Sequence, residues 1–218
     1  MQILSTPIYS LHYLFFYWLM THFFLHGWWA SPETEKNKIF FQAITETGNK
    51  ILIVPFSQGT EKDIVFDQYV EKEFFEKWKH IIIRYNLDKN LEIECASTDI
   101  PKLIQQIHHN DILFFCWWKT YKHLEIMNKV PNLKELIQDK IVAWVSAWAI
   151  MRSKSYYSSR KDTIGEGNGF LPIKTMVHRW SSRYPWLPDE EREKRLVEYG
   201  EKLPIYKIPE QEYIEFTL

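Results

Sequence analysis

The chain has 218 residues, of which 45% are hydrophobic and 25% charged, with a formal net charge of −1. That length suffices for one domain with a sizeable core, and the near-neutral balance offers no long-range field for nucleic acid, so no nucleic-acid partner is expected. Only Cys95 and Cys116 are present, without CxxC or histidine-rich spacing, so neither a disulfide framework nor a metal site is indicated, and a reducing, cytoplasmic setting fits.

Residues 1–25 are apolar and aromatic, and Ile8 to Leu25 approaches the length of a membrane span. The segment lacks a positively charged start and a small-residue cleavage site, and Thr21-His-Phe-Phe-Leu-His26 reads better as a first core strand. On that reading Met20 is the start codon and residues 1–19 are upstream sequence, with a membrane anchor through residues 1–25 as the competing reading. The chain then divides into an apolar extension over 1–20 and one α/β domain over 21–218.

Apolar, β-rich runs at 21–26, 50–56, 91–96, 111–116 and 140–145 alternate with helix-like segments at about 33–47, 63–80, 99–109, 120–138 and 147–154. Such alternation predicts a mostly parallel central sheet with helices on both faces. Thr98 or Asp99 is expected to cap the third helix, with Pro101 in its first turn. The charged runs at 71–79 and 189–202 alternate in sign and read as solvated helix faces. Ser155 to Asn168 has loop composition, and Gly169 to His178 reads as a short apolar strand ending in a histidine. Gly165-Glu-Gly-Asn-Gly169 follows no strand, which makes it a turn rather than a dinucleotide loop. A charged helix from Pro188 to about Lys202 and a final strand near Tyr213–Phe216 complete the chain. There is no P-loop and no internal repeat.

In Ile141-Val-Ala-Trp-Val-Ser-Ala-Trp-Ala149 an apolar strand turns abruptly into small residues and then a helix. This is the pattern of a nucleophile elbow, which lifts Ser146 out of a strand end and turns the next backbone N–H toward a developing oxyanion. Elbows need slender neighbours, yet Trp144 and Trp148 flank this one. Tryptophan also follows strand candidates at His26-Gly-Trp-Trp-Ala30 and Phe115-Cys-Trp-Trp-Lys119, where turns ask for glycine. The chain holds 7 glycines and 10 tryptophans, against a usual glycine share of about 7%. The expectation is that Trp28, Trp29, Trp117, Trp118, Trp144 and Trp148 stand at glycine positions, through UGA codons that mean glycine in the source. They should crowd around one site. Trp78 reads as an ordinary helix tryptophan.

With glycine at those positions the chain reads Phe-Phe-Cys-Gly-Gly-Lys-Thr over 114–120, Ala-Gly-Val-Ser-Ala-Gly-Ala over 143–149, and Gly-Asn-Gly-Phe-Leu-Pro over 167–172 before His178. These ordered motifs, spanning about residues 21–180, resemble the peptidase E family of serine peptidases (family S51, with aspartyl dipeptidase and cyanophycinase), whose fold is similar to that of class I glutamine amidotransferases. The resemblance implies that Ser146 is the nucleophile and His178 the general base. It places the orienting acid between them, at Asp162 by spacing, with Glu166 as the rival. Backbone N–H groups of Trp117, Trp118 and Ala147 would form the oxyanion hole.

Lys119 departs from the asparagine or aspartate usual there, so it is expected on the substrate side, and Arg152, Arg179 and Arg183 are candidates for a substrate carboxylate. His22, His26, His108 and His109 show no partner pattern. The expected activity is hydrolysis of a small peptide or amide bond through an acyl-enzyme, with no cofactor. A non-catalytic binding or regulatory domain on the same fold is the alternative. Nothing in the sequence points to an oligomeric state.

Overall fold

The computed structural model describes residues 20–27, 34–56, 64–116, 125–145, 147–158, 162–179, 188–209 and 211–217. In chain order the elements are β1 (His22–His26), α1 (Glu35–Ile44), β2 (Lys50–Val54), α2 (Ile64–Tyr85), β3 (Glu92–Cys95), α3 (Ile100–His109) and β4 (Ile112–Phe115). There follow α4 (Leu133–Leu136), β5 (Ile141–Val145), α5 (Ala147–Met151), β6 (Ser155–Ser158), β7 (Thr163–Glu166), β8 (Lys174–Arg179), α6 (Asp189–Glu198), β9 (Ile205–Pro209) and β10 (Tyr213–Thr217).

The first five strands form a parallel sheet in which the apolar runs of β1, β2, β4 and β5 are buried on both faces, with the half-exposed β3 at the edge. The six-stranded order is β10-β1-β5-β4-β2-β3, with β10 alone antiparallel. Alternate residues divide the core into two layers. Ile51, Ile53, Ile112, Phe114 and Ala143 pack under α1 and α2 against Phe40, Phe41, Ile44, Trp78 and Ile82. Leu52, Val54, Leu113, Phe115, Val142 and Trp144 pack on the opposite face against Leu103 and Ile107 of α3, with Met127 and Val130. Each such fully buried side chain contributes about 1.5–3 kcal/mol, so these layers outweigh the caps, where Thr34 accepts from the Asn37 N–H and Asp99 from the Lys102 N–H, at about 1 kcal/mol each. The expected mostly parallel α/β architecture with helices on both faces is the one observed.

Three expectations need correction. The helix expected over 120–138 is not continuous: a helical turn at 125–128 and α4 are separated at Pro131 and Asn132, the latter left-handed with φ of 51°. The strand expected from Gly169 begins only at Lys174, because Gly169 has φ of 65° and Pro172 supplies no ladder donor. Ser155–Glu166, expected as loop, contains the β6–β7 hairpin, and it joins β8 and β9 in a second sheet of order β7-β6-β8-β9. No helix among the described residues is long and apolar enough to cross a membrane.

The second sheet is tied to α6 by a buried lysine. Lys174, 1% exposed at the start of β8, donates from Nζ to the carbonyls of Leu196, at 2.8 Å, and of Val197 and Tyr199. The bonds satisfy the carbonyls a helix leaves unpaired at its carboxyl end. They also set α6 antiparallel to β8, so that the start of α6 lies toward the end of β8. Lys174→Met, which keeps the packing volume and removes the charge-assisted bonds, is expected to cost about 1.5–3 kcal/mol, seen as a lower denaturation midpoint at unchanged m-value.

Candidate active site

In the large sheet β5 lies between β1 and β4, with His26 level with Val145 and Phe115 level with Trp144. The segments that follow these three strands therefore leave one carboxyl edge side by side, where parallel α/β sheets gather their ligands. β5 ends at Val145 and α5 begins at Ala147, so strand gives way to helix across a single position, as a nucleophile elbow requires. Ser146 itself lies outside the described residues, as do Trp28, Trp29, Trp117, Trp118, Lys119 and Arg183. Ala147 is described by its backbone. It opens α5, so its N–H has no partner within the helix.

The turn at the end of α5 is fastened to the motif that leads into β8. Asn168 donates its backbone N–H to Met151 O at 2.9 Å, Leu171 to Arg152 O at 2.8 Å, Gly169 to Ser153 O at 3.2 Å and Gly167 to Lys154 O at 3.1 Å, while Lys154 donates to Ile173 O at 2.8 Å. Gly167 is required here: a Cβ would stand 2.1 Å from Ser153 O and 2.8 Å from Met151 O. The segment then enters β8, where Val177 pairs with Ile208 and Arg179 with Pro209. His178 is the extra residue of that β-bulge. Bulges recur beside active sites because they re-aim one residue. For His178 and Arg179 the backbone alone is described.

The two candidate acids sit at opposite ends of the small sheet. Ser158 pairs with Thr163, and Tyr157 with Met176 of parallel β8, so Asp162, next to Thr163, lies at the end toward His178. Glu166 pairs with Ser155, itself level with Lys174, and is thus about 13 Å along the strand direction from His178. Asp162 is half-buried, with φ of 54° closing the hairpin turn, a conformation aspartate tolerates. Its Oδ1 accepts the Tyr157 hydroxyl at 2.6 Å. Burial first, then the hydrogen bond to Asp162 and its charge, push the Tyr157 phenol up to about 12, against the opposing charges of Arg195 and Arg192. Glu166 Oε1 accepts the exposed Tyr199 hydroxyl at 3.1 Å.

Beneath the elbow Trp144 is 1% exposed and packs with Phe23, Phe115 and Phe170 at ring distances of 5.3, 5.9 and 5.8 Å. It lies within the core layer, and its Nε1 has no hydrogen-bond partner among the described residues. Arg152, a candidate for a substrate carboxylate, is buried, its guanidinium 5.8 Å from the Trp144 ring centre and 5.4 Å from that of Phe170. Loss of hydration lowers its pKa to about 10. His26, which shows no partner pattern in the sequence, is fully buried against Phe40. Among the described residues no cluster of His, Cys, Asp or Glu is placed to hold a metal ion. Sequence reasoning missed Tyr157, which lies in a hairpin whose polar alternation reads as loop, and the bulge, which depends on pairing of β8 with β9.

The fold is shared with a solved structure, a peptidase from an acI-B1 Actinobacterium, with a TM-score of 0.61 and 16% identity over 91% of this chain and 84% of that one. No family model matches the chain, and no curated protein matches it. At such identity the likeness establishes the common fold.

Tyr157 carries a pH dependence whose sign is fixed. Its folded pKa lies above the unfolded value of about 10, so its contribution is present below pH about 10 and is lost as pH rises through about 12. In an ultraviolet titration of the folded protein, Tyr157→Phe is expected to remove a phenol that ionises near pH 12, and to flatten the fall in stability over that alkaline range.

Proposed function

We propose that this protein is a serine hydrolase that cleaves a small peptide or amide bond through an acyl-enzyme, in the manner of the peptidase E family and its class I glutamine amidotransferase-like fold. The observation that carries the reading is the joining of a one-position strand-to-helix turn, at the centre of a parallel sheet edge, to a strand bulged at His178. A turn of this form exposes a serine hydroxyl, and a bulge re-aims a strand residue.

In this mechanism Ser146 Oγ attacks the carbonyl carbon while His178 takes its proton, and the Asp162 carboxylate orients the imidazole and stabilises the imidazolium. The oxyanion is met by the Ala147 N–H and by N–H groups of the 117–118 turn. His178 then returns the proton to the leaving amine. Water, activated by the same base, releases the acyl group. Arg179, next to the base, and Lys119, after the oxyanion turn, are the cations proposed for the substrate's carboxylate. We place the reaction in the cytoplasm.

The reading extends to the tryptophans at 28, 29, 117, 118, 144 and 148, proposed to be glycines in the natively decoded protein. UGG codons at those positions would sink that part. A fluorophosphonate is expected to label Ser146 in the glycine form, with Ser146→Ala abolishing both label and dipeptide hydrolysis while leaving the fold intact, and His178→Ala cutting the labelling rate by about 10²–10⁴. Absence of label from both the tryptophan and the glycine forms would make the chain a non-catalytic domain.

A further inference from the structure

We infer that Tyr157 is a positioning residue for the proposed charge-relay group, holding the Asp162 carboxylate where it can orient His178; the inference rests on the assignment of Ser146, His178 and Asp162 made above. Asp162 follows the turn between β6 and β7, whereas His178 is on β8, with β6 between them. Two strand spacings, about 10 Å, exceed the reach of an aspartate side chain, so the carboxylate must be drawn over the middle strand to serve the histidine.

Tyr157 stands on that middle strand, level with Met176, two positions before His178. Its ring is fully buried against Met176 and Leu196, which fixes the hydroxyl's direction. The hydroxyl donates to Asp162 Oδ1 at 2.6 Å, and no other hydrogen bond to this carboxylate comes from the described residues. A short O–H···O⁻ bond of this kind is among the stronger hydrogen bonds in proteins. The charged groups acting on it are Asp162 from the hairpin, and Arg192 and Arg195 from α6; Arg192 is itself engaged by Asp189 at 3.4 Å. From β8 the neighbour is the uncharged Met176. The rival acid has the same kind of partner, Tyr199 on Glu166, but that pair is at the far end of the sheet and exposed.

The test is the second-order rate at which an alkyl fluorophosphonate labels Ser146, measured across about pH 5 to 9 in whichever form of the protein takes the label. A carboxylate beside an imidazolium raises its pKa, so Asp162→Asn is expected to lower the rate plateau and move its acidic limb to lower pH. Tyr157→Phe should move both in the same direction by less, lowering the plateau about tenfold, with Tyr157→Leu repeating the result and near-ultraviolet circular dichroism showing an intact core. A plateau and limb unchanged in a folded Tyr157→Phe would reduce the tyrosine to a hairpin fastening and overturn the inference, as would a shift produced by Tyr199→Phe instead. Undiminished labelling of Ser146→Ala or His178→Ala would remove the underlying mechanism itself, whereas their loss of label alongside a wild-type Tyr157→Phe profile would overturn the tyrosine's role alone.

Discussion

Five backbone hydrogen bonds between residues 151–154 and 167–173 fasten the end of α5, the helix that follows the elbow, to the segment that leads into β8. Together with the core layer shared by Trp144, Ala149 and Val177, they hold the helix that follows β5 and the strand carrying His178 in one unit. Backbone bonds suit this task because each has a fixed direction and each buried N–H and C=O must find a partner. They also explain the spacing of glycines. Gly167 lets the two backbones touch, and Gly169 takes the left-handed conformation that turns the chain toward Leu171 and the strand. Leu171, Ile173 and Val177 then join the core layer that holds Ala149 and Trp144, so hydrophobic burial reinforces a geometry set by hydrogen bonds.

The parallel sheet was legible in the sequence because buried strands such as Ile51-Leu-Ile-Val54 and Ile112-Leu-Phe-Phe115 are apolar on both faces and are separated by amphipathic helices. The second sheet was not. Ser155-Tyr-Tyr-Ser158 alternates buried and half-buried residues, but serine hydroxyls and tyrosine rings on a short strand look the same as a polar loop. β9 was hidden for a related reason, since Lys207 lies between Tyr206 and Ile208 and finds Glu193 at 2.9 Å. A strand whose polar residues are answered only by another element has no periodic signature of its own. Tertiary context decides it.

The site follows the same division. The elbow was visible because small residues follow an apolar run, and the structure supplies strand up to Val145 and helix from Ala147. The relation between Asp162 and Glu166 needed the missing hairpin, since two carboxylates four residues apart along the chain are carried to opposite ends of a sheet once the chain folds back. Chain spacing cannot express that reversal; register can. The bulge at His178 is likewise a relation between two strands, Val177 to Ile208 and Arg179 to Pro209, and β9 had not been read from the sequence.

The tryptophans divide by position in the same way. At Gly27, immediately after β1, a Cβ would stand 2.1 Å from Pro209 O, so the residue bordering that turn admits no side chain at all. Trp144 is two positions before its turn and still within the ladder, level with Leu25 and Phe115, where side chains project into a layer and an indole finds room. What this room lacks is polarity: a buried indole N–H left without a partner costs about 1–3 kcal/mol, and the nearby guanidinium of Arg152 is desolvated. Crowding by neighbouring backbone therefore bears on positions that border a turn, as Gly27 does, and it is there that the proposed glycines would matter most. At 144 the case rests on the unanswered indole nitrogen, a weaker demand that a core tryptophan can meet at some loss of stability.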